Sequence, residues 1–356
     1  MAINKLELHN LLSLAIRQGA SDLHISVGHS PILRVGRKLI SVPNRKKISA
    51  QDSEKMAYEL MSEEQKEKFL KEKEIDFSYF LEDKTRFRIN IFFQRGTVSC
   101  VLRLISNKIR TVEELNLPSS LHKLIQHKQG FVLITGPSSH GKSTTLAALI
   151  DEINHTTARH ILTIEDPIEY VFDDDKSIIN QREIGQDSFS FAKALHATFR
   201  QDPDIIVVGE MRGPKTISTA ITAAETGHLV FATLHTNSAS QTIHRIVDTF
   251  SSSQQEQIRA QLSGSLLAVV SQRLIPGIKG GLIPACEIMF SNSAVANLIR
   301  ENKIHELPVV IETSRESGMI SLNRSLADLV YQNKISVENA LAYSSDPKGL
   351  SMLVNR

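Results

Sequence analysis

One short segment of the chain carries the residue types that bind nucleotide phosphates. Residues 136–143 read GPSSHGKS and match the pattern G-x-x-x-x-G-K-[ST]. Glycines let backbone N–H groups converge on phosphate oxygens, and the N-terminus of a following helix adds its dipole. The predicted nucleotide-binding residues are Gly136, Pro137, Ser138, Ser139, His140, Gly141, Lys142, Ser143 and Thr144.

Three residues in and after this segment fit a phosphate and metal site. Lys142 is predicted to neutralise the β and γ phosphates, and the Ser143 hydroxyl to ligate Mg²⁺. Glu210 follows the apolar run 205–208, and its carboxylate is suited to hold Mg²⁺ through water. The predicted metal residues are therefore Ser143 and Glu210. The pattern alone names neither the nucleotide nor the reaction, because kinases, GTPases and motors share it.

Acidic and histidine residues follow two other apolar runs. The run 161–164 leads into Glu165, Asp166 and Glu169, and hydrolysis needs one carboxylate to orient and deprotonate the attacking water. His228 and His235 flank the run 229–233, where an imidazole can sense the γ phosphate. The plainer alternatives are an ordinary acidic turn and two structural histidines.

The elements that must position these residues differ between the two parts of the chain. Apolar runs at 131–135, 161–164, 205–208 and 229–233 alternate with helical stretches, which predicts a parallel sheet. Before residue 106 the pattern predicts mixed helices and strands. Helical spacing occupies 8–16 and 53–73, and strand alternation occupies 23–27, 32–35, 87–93 and 98–105. The predicted organisation is an N-terminal domain at 1–105, a linker at 106–120, a domain with the phosphate loop at 121–285 and a helical extension at 286–356.

Composition excludes several classes of protein. A length of 356 residues suggests about two domains. With 41 Lys plus Arg against 39 Asp plus Glu, the net charge of +2 gives no general attraction to nucleic acid. Cys100 and Cys286 have no partner spacing, so a reducing compartment fits. No signal peptide is recognisable, and no apolar run approaches the ~20 residues of a membrane span, so a cytoplasmic protein is expected.

Taken together, the motifs resemble those of the secretion-type traffic ATPases that power type II secretion and type IV pili. Within that family the resemblance points to the pilus-retraction ATPases. The resemblance covers nearly the whole chain, and the matching segments occur in the same order. Besides the phosphate loop, the matching segments are 18–25, 86–90, 163–170, 180–183, 202–212, 222–230 and 233–236.

This resemblance implies an α/β, RecA-like P-loop ATPase domain with a smaller α+β, PAS-like N-terminal domain. It implies a homohexamer that binds ATP and Mg²⁺ and acts on an inner-membrane pilus or secretion platform protein from the cytoplasmic side. No nucleic acid or membrane insertion is expected. The implied roles are catalytic base for Glu169, metal and water organisation for Glu210, nucleotide coupling for His228 and His235, and phosphate contacts as ring elements close for Arg88 and Arg103.

The sequence also departs from the family at several positions. Ser139 and His140 replace an inner Gly-Ser pair of the loop, Gly213 and Asn323 replace acids, and Ala296 replaces an arginine. The predicted function is a hexameric motor for type IV pilus retraction. The alternatives are an extension or type II secretion ATPase, or a non-hydrolysing paralogue in a mixed ring. A nucleic-acid translocase and a small-molecule kinase are weaker alternatives, because the chain lacks basic tracks, Trp and a recognisable acceptor pocket.

Overall fold

A computed structural model describes residues 5–36, 38–81, 85–105 and 108–354, without the side chains of residues 5 and 6. Residues 1–4, 37 and 82–84 of the predicted N-terminal domain, 106 and 107 of the predicted linker, and 355 and 356 of the predicted helical extension lie outside these ranges. Contacts between residues divide the chain into two units. The smaller unit comprises Met1–Lys108 and Glu169–Val171, and the larger unit comprises Ile109–Ile168 and Phe172–Arg356.

The smaller unit is a six-stranded antiparallel sheet with helices. Its strand order is β3-β2-β1-β6-β5-β4. Alternation in β5 buries Phe87, Ile89 and Ile91 in the apolar core and turns Arg88 to the opposite face. The elements are α1 (Lys5–Arg17), β1 (Asp22–Ile25), β2 (Ile32–Val35), β3 (Lys38–Ser41), α2 (Ala50–Leu60), α3 (Glu63–Glu72), β4 (Glu74–Leu81), β5 (Thr85–Gln94) and β6 (Thr97–Leu104).

Serine caps divide the predicted helical stretch 53–73 into two helices. Ser49 and Ser62 each accept a hydrogen bond from the backbone three residues later, and Asp52 and Gln65 bond back to the cap. Such reciprocal caps satisfy N–H groups that the first turn of a helix leaves open. The predicted helix at 8–16 and the four predicted strands are confirmed as elements, whereas β3 and β4 were not predicted.

A seven-stranded sheet forms the centre of the larger unit. The strands are β7 (Gly130–Thr135), β8 (His160–Glu165), β9 (Ile178–Glu183), β10 (Ile205–Val208), β11 (Leu229–Leu234), β12 (Leu266–Pro276) and β13 (Leu282–Phe290). Their order is β13-β12-β7-β11-β10-β8-β9, and only the β12–β13 pair is antiparallel. The predicted parallel sheet is confirmed for β7, β8, β10 and β11.

Helices pack on the central sheet, and further helices form the C-terminal part of the chain after β13. They are α4 (Lys142–Thr156), α5 (Phe191–Thr198), α6 (Pro214–Glu225), α7 (Ala239–Asp248), α8 (Ser252–Ser265), α9 (Ser293–Arg300), α10 (Leu307–Thr313), α11 (Leu322–Tyr331), α12 (Val337–Tyr343) and α13 (Pro347–Val354). The predicted extension starts at Cys286, which lies inside β13. Asn323 accepts a hydrogen bond from Ser344 and donates one to the carbonyl of Asp346, which joins α11 to the turn before α13. Within the described ranges, no helix is long and apolar enough to cross a bilayer.

The chain from Ile109 to a short 3₁₀ helix at Ser119–Gln126 packs on the larger unit. Val112, Leu115 and Leu117 are buried in the same apolar cluster as Leu149 and Ile153 of α4. Most of the predicted linker is therefore attached to the helix that follows the phosphate loop.

His122 ties this segment to α4 through two carboxylates. Its Nδ1 lies 2.7 Å from Oε1 of Glu152, and its Nε2 lies 2.8 Å from Oε1 of Glu113. Ionised carboxylates only accept, so both ring nitrogens carry protons in this arrangement. Burial opposes the charge, but hydrogen bonds to Glu152 and Glu113 outweigh it and raise the pKa of His122 above its ordinary value.

This bridge makes the stability of the larger unit depend on pH. A raised folded-state pKa stabilises the fold below the ordinary value of 6.5, and that contribution is lost as pH rises through the folded pKa. Between about pH 6 and about pH 9, we expect the melting temperature of the wild type to fall by about 1–2 °C relative to that of His122→Asn. The change is small because the interacting groups are partly exposed. Thermal melts of both proteins test this, and a difference that stays constant with pH contradicts it.

Candidate nucleotide-binding site

The phosphate loop lies between β7 and α4, in the predicted strand–loop–helix arrangement. Helix α4 begins at Lys142, so its first N–H groups face the loop. Gly136 and Gly141 have φ of +143° and +81°, and Ser139 has φ of +64°. The loop backbone therefore uses left-handed conformations at three positions, one of which carries a side chain.

Strand β12 forms the wall against which the loop packs. A Cβ on Gly136 would lie 2.3 Å from the carbonyl oxygen of Gln272, and one on Gly141 would lie 3.0 Å from Nε2 of the same residue. Contacts this close leave no room for a side chain at Gly136 and little at Gly141. Both glycines are thus required by packing as well as by backbone angle. No local pattern pointed to Gln272, which lies 131 residues beyond Gly141.

Lys142 lies folded over the loop that it ends. Its ammonium donates hydrogen bonds to the carbonyls of Gly136 (2.9 Å) and Pro137 (3.0 Å), and it lies 3.2 Å from Nδ1 of His235. The residue is only 8% exposed. The positive charge is therefore held at the mouth of the loop, where phosphate oxygens can replace the carbonyl partners.

His235 links this lysine to the carboxylate of Glu210. Because Nδ1 accepts from Lys142, the ring proton lies on Nε2, which is 3.4 Å from Oε1 of Glu210. Arg212 donates to the other oxygen of Glu210 at 2.8 Å. This hydrogen bond, opposed by burial and helped by the charges of Arg212 and Lys142, lowers the pKa of Glu210. Glu210 is thus an ionised carboxylate at the phosphate loop.

Open space borders this set of residues. A cavity of about 500 Å³ lies beside Glu210 and His235, and Gln241 and Arg245 of α7 contribute to its wall. Across the described ranges, no three His, Cys, Asp or Glu residues cluster closely enough to hold a metal ion by themselves. A metal held by Ser143 and Glu210 would therefore need further ligands from the nucleotide or water.

The acidic segment after β8 contains Glu165, which hydrogen bonds hold in place, and Glu169, which is exposed. Glu165 accepts hydrogen bonds from Thr163 (2.6 Å) and Gln181 (3.1 Å). The backbone N–H of Ile168 donates to the buried carboxylate of Glu183 at 3.0 Å, which fixes the chain just before Glu169. Glu169 itself is exposed. Glu183 is a positioning residue that the sequence reading did not single out.

His228 lies away from the phosphate loop of its own chain. It precedes β11, whereas His235 follows it, so six strand residues of about 3.3 Å each place the two roughly 20 Å apart. The Nδ1–H of His228 donates to the carbonyl of Ala223 at 3.0 Å, and its ring packs edge-on against Phe199. Within one chain, the structure brings His235 to the loop but not His228.

Arg88 and Arg103 lie opposite each other on neighbouring strands of the smaller unit. Arg103 donates to Asp22 at 2.9 Å, and Arg88 lies 3.4 Å from Asp76. Burial alone would raise the pKa of Asp22, but hydrogen bonds from Arg103 and Ser21 lower it. The two guanidinium groups thus share one face of the sheet, and both remain partly exposed.

These features define the class of the protein. A parallel sheet, a phosphate loop leading from β7 into a helix and a carboxylate after β10, two strands away in the same sheet, make the larger unit a P-loop ATPase fold. The chain belongs to the type II/IV secretion system protein family, and the match to this family covers residues 2–323. The resemblance inferred from the motifs is thereby confirmed.

Individual relatives cover nearly the whole chain. A "Type IV pilus retractation ATPase PilT" of Pseudomonas aeruginosa is 43% identical over 343 residues, which are 96% of this chain and 99% of the relative. A "Twitching motility protein" of Neisseria gonorrhoeae is 45% identical over 323 residues, 90% of this chain and 86% of the relative. The crystal structure of the "Pilus Retraction Motor PilT and Bound ADP" matches with a TM-score of 0.90 and 45% identity, covering 97% of this chain and 98% of that one.

Proposed function

We propose that this chain hydrolyses ATP and powers type IV pilus retraction, as a homohexamer on the cytoplasmic side of the inner membrane. The observation that carries the proposal is the linked set of Lys142, His235 and Glu210 at a formed phosphate loop. A relative of 45% identity and the same fold binds ADP and is described as a retraction motor. The partner is an inner-membrane pilus platform protein.

The residues of the loop divide the work of binding ATP. Backbone N–H groups and Lys142 hold the phosphates, and the Ser143 hydroxyl with the ionised Glu210 provides oxygen donors suited to Mg²⁺. When bound, Mg²⁺ neutralises charge on the β and γ phosphates. Lys142 exchanges its carbonyl partners for phosphate oxygens. The contact between His235 and Lys142 depends on whether Lys142 is bound to phosphate. His235 can therefore report the state of the nucleotide.

Glu169 is proposed as the base for the chemical step. A water oxygen forms a bond to the γ phosphorus, its proton passes to the Glu169 carboxylate, and the bond from the γ phosphorus to the bridging oxygen breaks, leaving ADP and phosphate. Its exposure leaves it accessible to water. The hydrogen bond from Ile168 to Glu183 limits the movement of the adjoining backbone.

The domain assignment remains part of this proposal. We assign a PAS-like domain to residues 1–105, a linker to 106–120, a RecA-like domain to 121–285 and a helical extension to 286–356. The antiparallel sheet of the smaller unit and the parallel sheet of the larger unit support the two main assignments. Arg88 and Arg103 would contact phosphates as elements of the ring close. His228 lies away from the phosphate loop of its own chain, so it would act at a step other than nucleotide binding there.

A non-hydrolysing ring partner is the second candidate, because Ser139 adopts φ of +64° where the family usually has glycine. The strain falls in the loop that binds phosphate, so it bears on turnover rather than on fold. Magnesium-dependent phosphate release by the purified protein excludes this candidate.

A deletion strain tests the direction of the motor. Without this chain, we expect excess surface pili and lost twitching, because pili would assemble but not retract. The wild-type gene should restore twitching, and a Lys142→Ala gene should not. Absent pili in the deletion strain would contradict retraction and indicate extension.

A further inference from the structure

We propose that His140 is a positioning residue that holds the phosphate loop in its nucleotide-binding shape by accepting a hydrogen bond from β12. The proposal rests on nucleotide binding at the loop, as set out above. It assigns a role to a residue that this chain has in place of the family's usual serine.

Two hydrogen bonds fasten His140 to β12. The backbone N–H of Leu274 donates to Nδ1 of His140 at 3.0 Å, and Nε2 of Gln272 donates to the His140 carbonyl at 2.9 Å. The same Gln272 accepts from the hydroxyl of Thr145 at 2.6 Å. The strand therefore grips the loop at His140 and the first turn of α4 at Thr145. The bond to Nδ1 depends on the histidine side chain.

The environment keeps the imidazole in the form that this bond needs. A nitrogen that accepts from a backbone N–H cannot carry a proton, so His140 is neutral with its proton on Nε2. Burial, followed by the charges of Lys142 and Arg273, lowers the pKa of His140. The acceptor is thus present at neutral pH.

Ser139 explains why this loop needs the anchor. Its φ of +64° is a left-handed conformation that disfavours a residue with a Cβ by roughly fivefold or more compared with glycine. The Ser139 residue is exposed, so packing does little to hold it. A hydrogen bond at the very next residue opposes relaxation of the loop. Ser139 and His140 therefore act as a compensating pair.

Loss of the anchor should weaken nucleotide binding. If the loop leaves its binding shape part of the time, the apparent Kd rises by the inverse of the fraction that remains competent. Loss of one hydrogen bond to a partly buried group corresponds to about a tenfold change. We therefore expect His140→Ser to raise the Kd for Mg·ADP about tenfold, and to lower turnover at saturating ATP by less.

Calorimetric titration of the full chain with Mg·ADP tests the pair. The variants are His140→Ser, His140→Asn, Ser139→Gly and the double variant S139G/H140S, which restores the family's inner Gly-Ser pair. His140→Asn retains an acceptor oxygen near the position of Nδ1, so its Kd should stay within about twofold of wild type. The double variant should recover to within about threefold, because glycine relieves the strain.

Each outcome decides between named alternatives. A wild-type Kd in His140→Ser overturns the proposal. So does equal weakening in His140→Asn and His140→Ser, because size rather than the acceptor would then matter. If S139G/H140S binds as weakly as H140S, the compensation is wrong. A wild-type protein that fails to bind Mg·ADP would instead contradict the proposed function. If the serine variant does not fold, the ratio of the His140→Asn and wild-type Kd values still tests the acceptor.

Discussion

Replacing Glu169 with glutamine is expected to reduce ATP turnover by about 10²–10⁴-fold, the usual contribution of a general base. Glutamine has nearly the same shape but cannot take the proton of the attacking water. The substitution leaves the phosphate loop untouched, so the affinity for Mg·ADP should change little. Steady-state phosphate release, measured alongside a binding titration, separates these two effects.

Asp166→Asn is the matched control for this experiment. Asp166 is an exposed acid of the same segment, three residues before Glu169, and has no assigned role in the chemistry. We expect its turnover to remain close to wild type. Near-normal turnover in Glu169→Gln, or equal losses in both variants, would contradict the assignment of the base to Glu169.

Replacing Lys142 with alanine is expected to reduce turnover by about 10²–10³-fold, the cost of removing one charged donor from a developing negative charge. Affinity for Mg·ADP should fall as well, because the ammonium is held at the loop before nucleotide arrives. The substitution also removes the partner of His235 Nδ1. Phosphate release and titration with ADP measure both losses.

An exposed lysine elsewhere on the larger unit controls for general loss of charge. Lys176→Ala removes one positive charge outside the loop and should retain wild-type turnover. Melting curves of both variants should confirm that they are folded. Normal turnover in a folded Lys142→Ala protein would show that ATP is hydrolysed elsewhere.

The phosphate loop could be predicted from sequence because its determinants are contiguous. Strand, glycine spacing, lysine and helix follow one another within residues 130–156. The wall behind the loop could not be predicted in the same way. Gln272 and Leu274 contact His140 from more than 130 positions away, and no local pattern marks that contact.

The two histidines show a signal that was present but not used. In parallel strands the carboxyl ends share one edge of the sheet, and the phosphate loop follows the carboxyl end of β7. His235 follows β11 and so belongs to that edge, whereas His228 precedes it. Strand direction alone therefore separates them.

Missed strands have physical reasons too. The short edge strand β3 is exposed at all four positions, so it shows no buried alternation. Strand β12 follows α8 directly, without a turn signal between Ser265 and Leu266. Hydrophobic periodicity cannot locate a boundary between two elements when no turn residue separates them.

Phosphate release by the purified wild-type chain, with and without Mg²⁺, tests the central claim most directly. We expect saturable release from ATP that requires Mg²⁺. A folded protein that binds Mg·ADP but releases no phosphate under any of these conditions would contradict it.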